Sequence, residues 1–208
     1  MSYTNTGAPP VFIFHERLAY RRFRRTMDVA IALAALVLAS PLLLAAALAI
    51  VAEDGGPVLF KQRRTGRFER LFTIYKFRTM KTDLCGDALS PQSGGDPRVT
   101  RIGRILRKTS IDEVPQLINV LRGEMSLVGP RPEMPFIVHG YQRWQHLRHL
   151  ASPGITCIWQ TRHRSTVPLH EPAATMCDLE YIQSASPAAD GALLAQTIGA
   201  VLLPKGAF

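Results

Sequence analysis

The residues able to do chemistry gather between Arg107 and Pro132, in the run RKTSIDEVPQLINVLRGEMSLVGPRP. Asp112 and Glu113 are adjacent carboxylates, preceded by Arg107 and Lys108 and followed by a turn that holds Arg131 between Pro130 and Pro132. Two readings fit. Ser110 and Glu113 match an S-x-x-E capping box, in which hydroxyl and carboxyl satisfy free N–H groups at a helix start. A capping box has no use for Arg107 before it or a GPRP turn after it, whereas a site for a doubly charged phosphate ester needs both. Arginine holds phosphate oxygens in bidentate fashion, and a helix start adds N–H groups and a positive dipole end. Glu113, one residue on, projects differently from Asp112 and so takes a separate role: proton acceptor, metal support or the cap itself.

The elements that must hold these groups are legible from pattern. VPQLINVLRG reads as a helix with Pro115 in its first turn and Gly123 as its stop. Before it, RVTRIGRILRK sets Val99, Ile102, Ile105 and Leu106 on one helical face, a face suited to lipid. GGPVLF and RLFTIYKFRTM are β-rich runs joined by KQRRTGRFE, a hairpin with Gly66 as its turn. Lys76 and Arg78 stand at its far end. Residues 82–97 are rich in Gly, Pro, Ser and Asp and read as a flexible loop. FIVHGYQRWQHLRHL mixes Tyr141, Trp144, Leu147 and Leu150 with His and Arg, as interfacial helices do. The four histidines from His139 to His163 lack the usual paired zinc spacings, which favours a solvated face.

The 208 residues, 47% of them hydrophobic, suffice for one compact domain. A formal charge of +9 calls for an anionic partner: nucleic acid, an anionic membrane face or a phosphorylated small molecule. Cys85, Cys157 and Cys177 are odd in number and widely spaced, implying neither a disulfide framework nor a zinc site, and a reducing compartment is the simpler reading. Residues 1–16 read as a flexible lead-in. Residues 17–54 read as a basic flank, with Arg17, Arg21, Arg22, Arg24 and Arg25, followed by a run from Val29 to Ala52 without a charge. That length crosses a hydrocarbon core of about 30 Å as a helix. Ser40-Pro41 interrupts it, since proline removes one backbone hydrogen bond, and the Ser hydroxyl can satisfy the freed carbonyl. Basic residues flank both ends, so a helix that enters, breaks and returns keeps both on the cytoplasmic side, whereas a kinked span does not. Sequence physics leaves these two paths open.

The ordered set of a Ser-Pro-broken apolar segment, GPVLFKQRRTG, KFRTM, DPRVTRIGRILRKTSIDEVPQLINVLRGEMSLVGPRP and PGIT resembles the bacterial sugar transferase family of monotopic polyprenyl-phosphate phosphoglycosyltransferases. The likeness runs from about Arg24 to Tyr181. It implies an α/β, mainly helical fold: a single catalytic domain over residues 55–208 with a β-hairpin, held by a re-entrant N-terminal helix broken at Ser40 and Pro41. The implied location is the cytoplasmic face of the bacterial inner membrane.

The implied reaction moves a sugar-1-phosphate from a UDP-sugar to undecaprenyl phosphate, releases UMP and starts a surface glycan such as an exopolysaccharide, capsule or O-antigen. Asp112 matches the family nucleophile, which carries the covalent phosphosugar and binds Mg²⁺; Glu113 is its catalytic neighbour. Arg107, Arg131 and Lys76 would hold phosphate. Glu124, Trp159, Gln160, Arg164 and Asp178 are further candidate substrate contacts. Implied partners are undecaprenyl phosphate, the UDP-sugar, inner-membrane lipid and downstream glycosyltransferases, with a homodimer left open and nucleic acid not implied. The chain departs after PGIT, where Cys157 stands in a usual glycine position and Arg162-His163 replaces Ser-Gly, and at Glu180, where a second Tyr is common. Those departures keep an inactive family member in view, and the positive charge and basic helices keep a non-catalytic basic membrane adaptor in view.

Overall fold

The computed structural model describes residues 18–82, 96–162 and 172–202. The lead-in 1–16, most of the 82–97 loop and Arg164 lie outside the described residues. One long helix, α1 (Leu18–Asp54), comes first. Its Ala- and Leu-rich run consists of the strongest helix formers. Pro41 lies inside it, and Ser40 Oγ donates to the Val37 carbonyl at 2.7 Å, the carbonyl that Pro41 leaves without its N–H.

Both ends of α1 are tied to the rest of the chain. Near its start, Arg24 Nε donates to Ser126 Oγ at 2.9 Å and Asp28 accepts from Ser126 Oγ at 2.7 Å and Leu127 N–H at 3.0 Å. Arg25 Nη2 donates to the Leu121 carbonyl at 2.7 Å. At its end Asp54 pairs with Arg78, and Glu53 accepts from the Arg101 and Ile102 N–H groups at 2.7 and 3.1 Å. Between these ties Val37 and Leu38 are exposed. The basic flank therefore divides: Arg21 and Arg22 stay exposed, as a lipid-facing reading needs, while Arg24 is buried in the fold.

Strands β1 (Leu59–Thr65) and β2 (Leu71–Phe77) form the expected antiparallel hairpin, with Phe60 opposite Lys76. Its turn differs from expectation. Gly66 has an ordinary φ of −106°, and the left-handed residues are Phe68 and Glu69, with φ of 52° and 59°. Arg70 N–H closes on the Arg67 carbonyl at 3.2 Å, so the reversal falls two and three residues later, at side chains that adopt this conformation at a cost of about 1–2 kcal/mol each.

Helix α2 (Arg101–Lys108) follows, then a 3-10 segment, Ile111–Gln116, leading into α3 (Leu117–Arg122). Gly123 ends α3 at φ 78°, as its position suggested. The face of α2 is not simply a lipid face. Leu106 is buried and Ile102 half-buried against Ala46, Ile50 and Phe77, and only Ile105 is exposed. Strand β3 (Ser126–Val128) pairs in parallel with β4 (Gly154–Thr156). Between them come α4 (Pro135–His139) and a 3-10 helix, Arg143–Leu150. The second half of this stretch is not an interfacial membrane helix: Gln145, Arg148 and His149 are buried and Trp144 and Leu147 pack on the core, while Phe136 of α4 stays exposed.

Helices α5 (Ile158–Arg162), α6 (Pro172–Ser184) and α7 (Pro187–Leu202) complete the described chain. The main core joins Ala32 of α1 to Ile74, Val120, Leu127, Tyr181 and Leu193. Each fully buried aliphatic side chain there contributes about 1.5–3 kcal/mol over leaving it in water.

Candidate active site

Asp112 and Glu113 stand at the start of the 3-10 segment, but not as a capping box. Ser110 takes the left-handed conformation at φ 57°, and its side chain makes no cap bond. An N-cap needs extended backbone to turn its oxygen onto the N–H groups ahead. Here the Glu113 N–H reaches the Ser110 carbonyl instead, at 3.2 Å, and its carboxylate is left for other partners.

Those partners are cations. Lys76 Nζ lies 2.8 Å from Glu113 Oε1, and Arg131 Nη2 donates to the same oxygen at 2.5 Å. Arg131 Nη1 also donates to Gln160 Oε1 at 3.1 Å. Burial alone would raise the pKa of Glu113, yet Arg131 and Lys76 hold it well below the ordinary carboxylate range. Burial lowers the pKa of Lys76 despite Glu113. Glu113 is therefore a fixed anion that orients two cations.

Asp112 is placed differently. It is 9% exposed, and its carboxylate accepts no hydrogen bond among the described residues. Burial first, and the neighbouring Glu113 charge second, push its pKa up to about 6, while Lys76, Arg107 and Arg131 limit the rise. A buried carboxylate that is still largely ionised at neutral pH and committed to no partner has the features of a candidate nucleophile. It also fits Mg²⁺, a hard cation that takes carboxylate oxygen together with water and substrate phosphate. Of the pair, only Asp112 has oxygens free to serve as a ligand.

Close backbone contacts fix the cations. A Cβ on Gly103 would stand 2.2 Å from the Thr79 carbonyl oxygen, so α2 crosses the end of the hairpin where only glycine fits. That crossing brings Arg107 Nε to Thr79 Oγ1, at 2.9 Å. In the same way a Cβ on Gly154 would lie 2.1 Å from Gly129 N, so β3 and β4 meet glycine to glycine just before the GPRP turn. Beneath that turn Arg148 Nη2 donates to the Arg131 carbonyl at 2.8 Å and pairs with Asp178 at 2.6 Å. Arg64 Nη1 donates to the Pro132 carbonyl at 3.1 Å.

Six of the sequence-derived candidates thus converge: Asp112, Glu113, Lys76, Arg107, Arg131 and Gln160. The others stand apart. Glu124 accepts from Asn119 Nδ2 at 2.7 Å, Asn119 being the residue that also holds the Thr73 carbonyl and Tyr75 N–H of β2. Trp159 is buried with Cys157 and Ala174, and Asp178 is committed to Arg148. Ser40 and Pro41 belong to α1. Sequence reasoning missed Thr79, Asn119 and Arg148; for Arg148 the basic, aromatic composition around it gave the opposite signal.

Together these features define a class, a protein with a membrane-compatible apolar helix and a buried carboxylate centre ringed by cations. Residues 19–204 match the description "Bacterial sugar transferase". The chain belongs to that family. It is 39% identical over 192 residues to the UDP-N-acetylgalactosamine-undecaprenyl-phosphate N-acetylgalactosaminephosphotransferase of Aeromonas hydrophila, covering 90% of this chain and 45% of that one. To the UDP-glucose:undecaprenyl-phosphate glucose-1-phosphate transferase of Caulobacter vibrioides it is 41% identical, covering 92% and 74%. To the exopolysaccharide production protein ExoY of Rhizobium meliloti it is 36% identical, covering 100% and 99%. The chain therefore spans less than half the length of the Aeromonas relative and nearly all of the Rhizobium one.

Proposed function

We propose that the protein transfers a sugar-1-phosphate from a UDP-sugar to undecaprenyl phosphate and releases UMP, as the first membrane step of an exopolysaccharide or related surface glycan. The observation that carries this reading is Asp112: buried, without a hydrogen-bond partner among the described residues, and set among Lys76, Arg107 and Arg131. The names of the Aeromonas and Caulobacter relatives support the acceptor and the phosphosugar cargo.

In the first step an Asp112 carboxylate oxygen attacks the β-phosphorus of the donor. The bond from that phosphorus to the bridging oxygen breaks, UMP leaves with the electron pair, and an acyl phosphosugar remains on Asp112. In the second, an oxygen of undecaprenyl phosphate attacks the same phosphorus and the carboxylate departs. A carboxylate is a weak nucleophile toward an anionic diphosphate, so the cations must offset the repulsion; Arg107 and Arg131 are suited to the phosphate oxygens. Glu113 keeps Lys76 and Arg131 aimed. Asp112 would hold Mg²⁺, which would supply further positive charge to offset the repulsion.

The ties of α1 support a re-entrant path. Thirty residues separate Arg24 from Asp54, about 45 Å of helix at 1.5 Å per residue. A crossing helix of that length would leave its ends on opposite sides of a bilayer. Both ends bond to one domain, Arg24 to Ser126 and Asp54 to Arg78, while Leu38 between them is 82% exposed. We infer that α1 dips into the cytoplasmic face of the inner membrane near Ser40-Pro41 and returns. Membrane-impermeant thiol labelling of a cysteine added after Phe208 tests this: the site stays protected from outside the cell, and labelling from outside refutes re-entry.

The reaction is tested by nucleotide release from detergent-solubilised protein with undecaprenyl phosphate, Mg²⁺ and a panel of UDP-sugars. UMP is the expected product, dependent on lipid and metal. Release of UDP would make the protein an ordinary glycosyl transferase.

A further inference from the structure

The hairpin turn and the 3-10 helix Arg143–Leu150 meet at a place that no step of the proposed reaction uses. Consecutive positive φ values at Phe68 and Glu69 belong to a constrained turn, and such constraint persists only where the surroundings impose it. Arg67 Nε donates to the Leu150 carbonyl at 3.0 Å and ties that turn to the helix. A 3-10 helix has three residues per turn, so side chains at i and i+3 eclipse. His146 and His149 have that spacing. The fold therefore brings two imidazoles and one carboxylate to a single point.

The distances are close to those of a ligand set. Glu69 Oε1 is 2.6 Å from His146 Nδ1 and 3.7 Å from His149 Nδ1, and one ligand atom from each residue lies within 4.8 Å of the others. Ligands held about 2.0–2.1 Å from a tetrahedral zinc ion stand roughly 3.3 Å apart, between the two measured values. His149 adds an independent sign. Its side chain is 8% exposed, and its Nδ1 is buried with no hydrogen-bond partner among the described residues, because 3.7 Å is too long for a bond to Glu69. A buried ring nitrogen left without a partner calls for an explanation. Burial, aided by Arg148, lowers the His149 pKa to about 4, so the ring is neutral at pH 7. Tyr141 packs on both rings, at 5.8 Å from His146 and 6.1 Å from His149, while Glu69 and His146 remain open to solvent.

We propose that Glu69, His146 and His149 form a site for a divalent transition-metal ion of the zinc type, distinct from the Asp112 centre. Two imidazoles and a carboxylate are a donor set that zinc accepts with a fourth position left to water, whereas Mg²⁺ prefers oxygen alone. The ion gives His149 Nδ1 its missing partner and staples the hairpin turn to the 3-10 helix. That helix carries Arg148, which holds the Arg131 carbonyl, so the role is to brace the phosphate-binding arm.

The test uses the full chain, purified through a histidine-free tag and stripped with chelator, and titrated with Zn²⁺ by calorimetry. The wild type and Asp112→Asn bind one equivalent each and melt at a higher temperature with the ion. His149→Ala and Glu69→Gln lose more than about tenfold in affinity and lose the melting shift. Glu69 is half exposed, so Glu69→Gln decides the matter if His149→Ala fails to fold. Co²⁺ in place of Zn²⁺ gives a visible spectrum without a thiolate charge-transfer band. Absence of Zn²⁺ binding, unchanged affinity in Glu69→Gln, or a thiolate band that assigns the ion to cysteine overturns the proposal.

Discussion

Two buried charged regions lie on either side of Arg131, and they are built on opposite plans. Around Arg148 the carboxylate faces a fixed cation: the guanidinium pairs with Asp178, donates to Tyr141 and holds the Arg131 carbonyl. Around Asp112 the cations are present, but the carboxylate accepts no hydrogen bond among the described residues. Burial drives both Asp112 and Asp178 up to about 6, so pKa alone does not separate them. Commitment does. A satisfied buried network stabilises and orients, whereas a buried carboxylate without a partner is kept at a cost in stability.

The sharpest way to break this contrast is Asp112→Asn. Turnover should fall by at least about 10⁴-fold, as for loss of other catalytic side chains. Stability should move the other way. The folded pKa of Asp112 is raised from 3.8 to about 6, so its favourable contribution is present at acid pH and lost as the pH rises through 6. At pH 7 the ionised group is a net cost, and the Asn variant should melt higher. A variant that melts lower would mean that Asp112 is structural after all.

Arg148→Met should show the reverse profile. It strips the partner from Asp178 and the donor from the Arg131 carbonyl, so unfolding stability should drop by about 3–5 kcal/mol in chemical denaturation, as for a broken buried pair. Residual folded protein should still release some UMP. Equal loss of turnover and unchanged stability would move Arg148 into the chemistry.

Arg131→Lys keeps the charge and removes the fork that serves Glu113 and Gln160 together. Its kcat should fall about 10²-fold with little change in melting temperature. The smallest effect is in pH dependence: kcat/KM should rise about tenfold per unit up to pH 6 and level off above it, following ionisation of Asp112. A profile flat from pH 5 to 7 would mean that the ionisation of Asp112 does not limit the reaction.

The sequence made some of this visible and hid the rest for physical reasons. The hairpin, the stop at Gly123 and the Ser40 bond to Val37 follow from local rules about β-rich runs, left-handed glycine and proline's missing N–H. That Arg131 serves the same site as the carboxylate pair was legible in the charge pattern, whereas the place of Lys76 there was implied by the family resemblance, since a residue 37 positions from Glu113 carries no local sign of meeting it. The capping box failed because Ser110 is left-handed, a conformation that no rule for serine predicts. The stretch around Arg148 misled because a basic, aromatic segment looks the same whether it faces lipid or a buried Asp178. His146 and His149 read as solvated because the pattern rules assume α-helical or zinc-finger spacing, and the 3-10 geometry that aligns them is a tertiary outcome.

The central claim is that Asp112 carries the phosphosugar. It is tested most directly by mixing the protein with Mg²⁺ and a UDP-sugar without lipid acceptor, quenching, and reading intact mass and peptide fragments. The expected result is a gain equal to one sugar phosphate, located on Asp112, abolished in Asp112→Asn and discharged by undecaprenyl phosphate. Turnover to UMP with no adduct at any quench time, or an adduct on another residue, would contradict it.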